Sequence, residues 1–81
     1  MITLKCSSKT NPKALCKAIV KNYDETSCVE IEAVGAGAVN QAIKAIAYAS
    51  VEMKKNKNYK LDCHPTLKAV NGNIVTVLEV I

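Results

Sequence analysis

The fold is decided by residues 28–47, which read CVEIEAVGAGAVNQAIKAIA. Over 28–34, apolar and acidic side chains alternate, which predicts a half-buried strand. Gly35-Ala36-Gly37 then turns the chain into a segment with apolar residues at helical spacing, which predicts a long helix over about 38–55. A strand, a tight glycine turn and a helix in succession indicate a domain that packs helices on a sheet.

This predicted second helix has one apolar side that is rich in alanine. Its members are Ala38, Val39, Ala42, Ile43, Ala45, Ile46, Ala49 and Met53. Because alanine is small, this side allows close approach to another backbone, either the sheet beneath it or a second helix.

Upstream, residues 2–7 alternate between apolar and polar side chains and predict a first strand. Thr10 or Asn11 is suited to cap a helix, and Pro12 fits its first turn because proline has no N–H to leave unpaired. This first helix is expected to give way to a polar loop over 24–27.

Downstream, 54–58 are expected to form a basic loop, and 59–70 a third strand that Pro65 marks as an edge or bulged strand. Asn71-Gly72 has the sequence of a type I′ hairpin turn, because both central residues of that turn take positive φ. A last strand follows over 73–81. The order β-α-β-α-β-β predicts an α/β protein of the α+β two-layer sandwich type, with both helices on one face of a four-stranded sheet.

The composition fits one small globular domain. The chain has 81 residues, of which 49% are hydrophobic and 22% charged, so we expect a single domain over 1–81. No signal peptide is visible and no apolar stretch approaches the ~18 residues of a membrane span, so we expect a cytoplasmic protein without membrane contact. A core this small is marginal, and a second subunit would add stability.

The four cysteines lie inside apolar periodic segments and form no C-x-x-C pair, so we expect reduced packing residues. They are Cys6, Cys16, Cys28 and Cys63. The only neighbouring Cys–His pair is Cys63-His64, and adjacent strand residues point to opposite faces, so no metal site and no cofactor are predicted. Asp62 and His64 share a strand face, but no nucleophile is tied to them, so no catalytic residue is predicted.

The glycine turn at 35–37 is suited to phosphate binding. A glycine-rich turn before a helix presents free N–H groups at the positive end of the helix dipole. A tight turn with close packing explains the same glycines equally well. The turn has neither the full dinucleotide fingerprint nor the P-loop lysine.

The net charge of +4 arises from eleven lysines and no arginine. Lys9, Lys13, Lys17 and Lys21 form a stripe, and Lys44 lies on the outer side of the second helix. Such a stripe is typical of a solvated helix face and also of a phosphate-binding surface. With three tyrosines and no other aromatic residue, backbone contacts are favoured over a single-strand stacking platform.

GAGAVNQAIKAIA at 35–47 resembles, residue for residue, the signature segment of the stage V sporulation protein S family. LKCSSKTNP at 4–12 and VEIEAV at 29–34 are similar to that family's first strand with its loop and to its second strand. The likeness covers the whole chain and weakens after Tyr48, where the family has an arginine, a glycine and a proline-containing loop.

The resemblance implies the fold of the Alba chromatin proteins, which are dimers that bind DNA or RNA. These proteins use lysines in the loop after the first strand, at the start of the second helix and in the final hairpin. Lys9 corresponds to that loop, and Asn40 and Lys44 to that helix, whereas the hairpin offers only Lys68. Without arginine for bidentate base contacts, the implied binding is through phosphates and independent of sequence.

The sequence and the resemblance together predict a regulator that binds nucleic acid, DNA or RNA, as a homodimer or higher oligomer, and that is associated with sporulation or another developmental programme. The predicted interface comprises Lys9, Lys13, Gly35, Gly37, Asn40 and Lys44. The alternative is a protein-interaction module that has the same fold and binds no nucleic acid.

Overall fold

The computed structural model describes residues 2–81 and has the expected order of elements. These are β1 (Ile2–Cys6), α1 (Pro12–Thr26), β2 (Val29–Ala33), α2 (Ala36–Lys57), β3 (Cys63–Val70) and β4 (Asn73–Val80). They form one four-stranded sheet in the order β1-β2-β4-β3, in which β1 is parallel to β2 and the other neighbours are antiparallel. The prediction of a two-layer α+β fold is confirmed.

Both helices begin at the same end of the sheet, where β1 and β2 terminate. β1 and β2 are parallel, and each is followed by a helix. The amino ends of α1 and α2 therefore lie beside the carboxyl ends of these two strands, as in other parallel strand–helix–strand units.

The helices cover one face of the sheet. Val29 and Ile31 have no exposed surface, and their partners on β4, Val80 and Leu78, belong to the same core. Residues between them point to the opposite, open face. There the Thr3 hydroxyl donates to Glu30 Oε2 at 2.9 Å.

The alanine-rich side of α2 packs within the chain. Ala38, Ala42, Ala45 and Ala49 have no exposed surface, and the core that buries them includes side chains of α1 and the sheet. The prediction that Ile43 is buried with them is wrong, because 47% of its surface is exposed. Ile43 lies on the flank of α2 that is turned away from α1, and the rest of residues 2–81 leaves it half uncovered.

β3 is an edge strand that the helices leave largely uncovered. The helices contact β1, β2 and β4, and β3 pairs only with β4. An edge strand tolerates Pro65 because one of its sides has no hydrogen-bond ladder to complete. Asn71 and Gly72 have φ of 50° and 80°, as the predicted hairpin turn requires.

Both helices are longer than predicted. The expected polar loop over 24–27 is mostly the last turn of α1, where the Thr26 hydroxyl donates to the Asn22 carbonyl at 2.9 Å and Ser27 caps the helix in the left-handed conformation. The expected basic loop over 54–58 is the last turn of α2. Its lysines are favourable there because a helix carboxyl end carries partial negative charge.

The cysteines are all free thiols, and their burial differs. Cys6 and Cys16 are buried, Cys28 is half-buried and Cys63 is exposed. The interpretation of all four as packing residues therefore fails for Cys63. This residue starts the uncovered edge strand, and its β4 partner is Val80.

We expect dithiothreitol to leave the melting temperature unchanged, since no disulfide contributes to the native fold. Circular dichroism melts with and without reductant would test this. Cys63→Ser is the control, because it removes the one exposed thiol that could form a crosslink between chains during heating. Loss of stability on reduction in both proteins would contradict the prediction.

Candidate nucleic-acid interface

The loop between β1 and α1 is held against the first turn of α2. Within the loop, the Ser7 N–H donates to Thr10 Oγ1 at 2.8 Å and the Lys9 N–H donates to Ser7 Oγ at 3.2 Å. Gln41 Nε2 on α2 donates to the Thr10 carbonyl at 2.9 Å. Lys9 thus lies on a braced loop beside the start of α2.

The two glycines of the 35–37 turn have structural roles. Gly35 has a φ of +90°, which side chains rarely allow. A Cβ built on Gly37 would lie 2.9 Å from the Cβ of Ser8, so this glycine permits close contact between α2 and the loop. The tight-turn interpretation accounts for both residues, and phosphate binding at the same turn stays a prediction.

The amino ends of the two helices differ in their caps. Asn11 Oδ1 accepts hydrogen bonds from the N–H groups of Lys13 at 2.9 Å and Ala14 at 3.3 Å. Within residues 2–81, no side chain caps α2. The first-turn N–H groups of α2 therefore have no side-chain acceptor in this part of the chain, and two of the residues that carry them, Ala36 and Gly37, are exposed at the positive end of the helix dipole.

The other predicted interface residues lie on the outer surface of the helices. Lys13 is exposed in the first turn of α1, and Asn40 and Lys44 are exposed on successive turns of α2. The structure thus brings Lys9, Lys13 and the glycine turn to the end of the sheet where both helices begin. Asn40 and Lys44 lie farther along α2 from that end.

The charges are separated between the two layers. Eight lysines and three acidic residues lie on the helices and the loop before α1, which gives this layer an excess of five positive charges. The lysines are Lys9, Lys13, Lys17, Lys21, Lys44, Lys54, Lys55 and Lys57, and the acids are Asp24, Glu25 and Glu52. The open face of the sheet carries Lys5 and Lys68 against Glu30, Glu32 and Glu79.

The open sheet face is thereby slightly acidic. Lys68 Nζ lies 3.2 Å from Glu32 Oε2, so one of its two lysines is already paired. Glu30 and Glu79 are directly opposite each other on neighbouring strands, an arrangement of like charges that repels anions. The positive surface of the molecule is the helical layer.

The family model described as stage V sporulation protein S (SpoVS) matches residues 2–78. The chain belongs to the SpoVS family. The SpoVS match includes the braced loop, the glycine turn and the hairpin, and it places the chain in a sporulation-related family of small proteins that is not a known family of enzymes. Neither helix within residues 2–81 of this SpoVS protein has the length and apolarity that a membrane span requires.

The predicted interface leaves out two residues of the basic surface, Lys17, which the lysine stripe includes, and Tyr48. Tyr48 and Lys17 lie together in a groove between the helices, which also contains Lys13. The spacing of Lys44 and Tyr48 by four residues is the sequence signal that places this tyrosine on the basic side of α2.

Across the described part of the chain, no three Cys, His, Asp or Glu side chains are close enough to hold a metal ion.

Proposed function

We propose that this SpoVS protein is a homodimeric regulator that binds the phosphate backbone of DNA or RNA without reading its sequence. The observation that carries the proposal is the charge separation, with five excess positive charges on the helical layer and one excess negative charge on the open sheet face. A polyanion is attracted to one layer and repelled by the other. Its role would lie in sporulation or a related developmental programme, as the family name suggests.

The helix starts support a defined location for the phosphates. Both helix dipoles present their positive ends at the end of the sheet where β1 and β2 terminate, next to Lys9 and Lys13. The uncapped N–H groups of α2 are suitable donors to phosphate oxygens. Asn40 and Lys44 extend this surface along α2, so a backbone of several phosphates has successive partners.

The absence of arginine supports contacts that do not depend on the nucleotide sequence. An arginine would offer the planar fork that recognises guanine, whereas lysine acts as a point charge. All eleven basic residues are lysines. The affinity is therefore expected to depend on salt much more than on base composition.

Dimerisation is supported by an apolar surface that includes the flank of α2 turned away from α1, and we call this surface the apolar trench. It consists of Val39, Ile43, Pro65, Leu67, Ala69 and Ile74. On the hairpin, Leu67 is 69% exposed and Ile74 is 65% exposed, although both point to the side of the sheet that carries the helices. Val39 and Ile43 lie on α2, and the strand register turns the other four residues to the side of the hairpin that carries the helices.

The total surface also favours a partner. The accessible surface is 5107 Å², whereas a monomer of this mass exposes about 4,700 Å². A second copy seated in the trench would cover its apolar side chains and leave the basic surface beside α1 free. In this arrangement, dimerisation and phosphate binding would use separate sides of α2.

Replacing one phosphate-contacting lysine should weaken binding to every sequence alike. Lys9→Ala and Lys44→Ala are each expected to reduce the slope of log affinity against log salt by about one unit. Asn40→Ala is expected to weaken binding without altering net charge. Gel-shift titrations with duplex DNA, single-stranded DNA and RNA at two salt concentrations would measure all three effects.

The matched control is Lys60→Ala, which removes the same charge from the segment between α2 and β3. Lys57 is less suitable because it forms an ion pair with Asp24. Equal losses for Lys9→Ala and Lys60→Ala would indicate diffuse charge attraction instead of a defined surface. Absence of binding by the wild-type protein would favour the protein-interaction module.

A further inference from the structure

A shallow groove runs between α1 and α2 on the outer surface of the helical layer. It is lined by Lys13, Cys16, Lys17, Tyr48 and Glu52, and we call it the Tyr48 groove. Tyr48 is 46% exposed there, although a tyrosine ring carries a large apolar surface. The groove thus combines an exposed aromatic ring on α2 with two lysines on α1.

Cys16 lies beneath the groove, next to the carboxylate of Glu52. Cys16 is buried, and its thiol donates to Glu52 Oε2 at 3.6 Å. Burial raises the pKa of this thiol, and the hydrogen bond and negative charge of Glu52 raise it further. Cys16 therefore stays protonated at neutral pH and fills space. The charged groups of the groove are two lysines and the one carboxylate of Glu52, so positive charge is in excess beside the tyrosine ring.

We propose that the Tyr48 groove receives one unpaired base of a single-stranded nucleic acid, which stacks on Tyr48 while Lys13 and Lys17 hold the flanking phosphates. A flat aromatic surface in the same groove as two cations matches a ligand that is both aromatic and anionic. This inference rests on the proposed function. It extends the phosphate surface, because Lys13 belongs to both and Lys44 lies one turn before Tyr48 on α2.

The proposal predicts a preference between nucleic-acid forms. In a duplex the bases are stacked on each other and cannot reach the ring, so a duplex uses only the lysines. A single strand uses the lysines and the ring. The scarcity of aromatic residues in the sequence excludes an extended stacking platform, and one stacking position is what the groove offers.

Fluorescence anisotropy with a labelled oligonucleotide, alone and annealed to its complement, would test the proposal at one salt concentration. Tyr48→Leu is expected to weaken single-strand binding at least about 5-fold and to leave duplex binding unchanged. Tyr48→Phe keeps the ring and should retain single-strand binding. Tyr59→Leu is the matched control, because Tyr59 is 49% exposed and lies outside the groove.

Three results would overturn the inference. Equal loss of single-strand and duplex binding in Tyr48→Leu would mean that the ring does not recognise an unpaired base. An unchanged Tyr48→Leu with normal wild-type binding would refute stacking and leave the phosphate surface standing. Failure of the wild-type protein to bind either form would refute the proposed function and, with it, this inference.

Discussion

Leu67→Lys is expected to convert the protein to a monomer of 8.7 kDa at micromolar concentration. Leu67 is 69% exposed in the apolar trench, and the proposed dimer would bury it. A lysine at that position would lose its hydration without gaining a partner, at a cost of several kcal/mol. The dissociation constant of the dimer should therefore rise at least about 100-fold.

Sedimentation equilibrium of wild type and variant would measure this change. Val34→Lys is the control, because Val34 is similarly exposed at 65% and lies outside the trench. Leu67 is outside the core, so the variant should keep its helical circular dichroism. A wild-type protein that sediments as a monomer, or a Leu67→Lys variant that sediments as the dimer, would contradict the trench as the interface.

Gly37→Ala is expected to destabilise the fold by about 1–2 kcal/mol. The added methyl would meet the Cβ of Ser8 at 2.9 Å, a contact too short to persist. Overpacking of this kind costs about 1–3 kcal/mol, whereas alanine in a helix gains about 0.5–1 kcal/mol over glycine. The clash should prevail, because the atom in the way is attached directly to the loop backbone.

Chemical denaturation would measure this loss, and a second substitution would identify its cause. Ser8→Gly removes the opposing Cβ, so Gly37→Ala with Ser8→Gly should recover most of the stability. Gly35→Ala is the contrasting control: it meets no atom within 4 Å but imposes a φ of +90° on alanine, so Ser8→Gly should not rescue it. A Gly37→Ala variant as stable as wild type would show that the loop yields easily.

The same variant connects stability with binding. Because Ser8 and Lys9 are neighbours on the braced loop, a displaced loop moves Lys9 away from the start of α2. Gly37→Ala should therefore also weaken nucleic-acid binding, and Ser8→Gly should restore it.

The sequence predicts the element types of this fold but not their ends or their neighbours. Alternation over 28–34 and the Asn71-Gly72 turn report local geometry directly. The last turn of α1 depends on the bond from Thr26 to the Asn22 carbonyl and on the left-handed cap at Ser27. Serine and threonine occur in loops as well as at helix ends, so the composition of 24–27 favoured a loop.

Ile43 and Tyr48 show the same limit for the candidate site. The helical period separates the buried alanines of α2 from its charged side, but it misplaces Ile43 because it does not tell which flank meets α1. That depends on the pairing of β2 with β4, which leaves β3 at the sheet edge. Glycines and lysines could be selected from the sequence, whereas the groove around Tyr48 exists only once two helices pack together.

The position of β4 has a consequence for the solubility of the protein. Its sequence, NIVTVLEV, is apolar, rich in β-branched residues and free of proline, a combination typical of segments that form amyloid. β4 pairs with β3 along its whole length and with β2 over residues 76–80, so most of its backbone is closed to another chain. The strands with an open edge are β1 and β3. β1 is only five residues long, and on β3 Pro65 lacks an N–H group and Lys68 adds charge, and these features discourage strands of other molecules from extending the sheet.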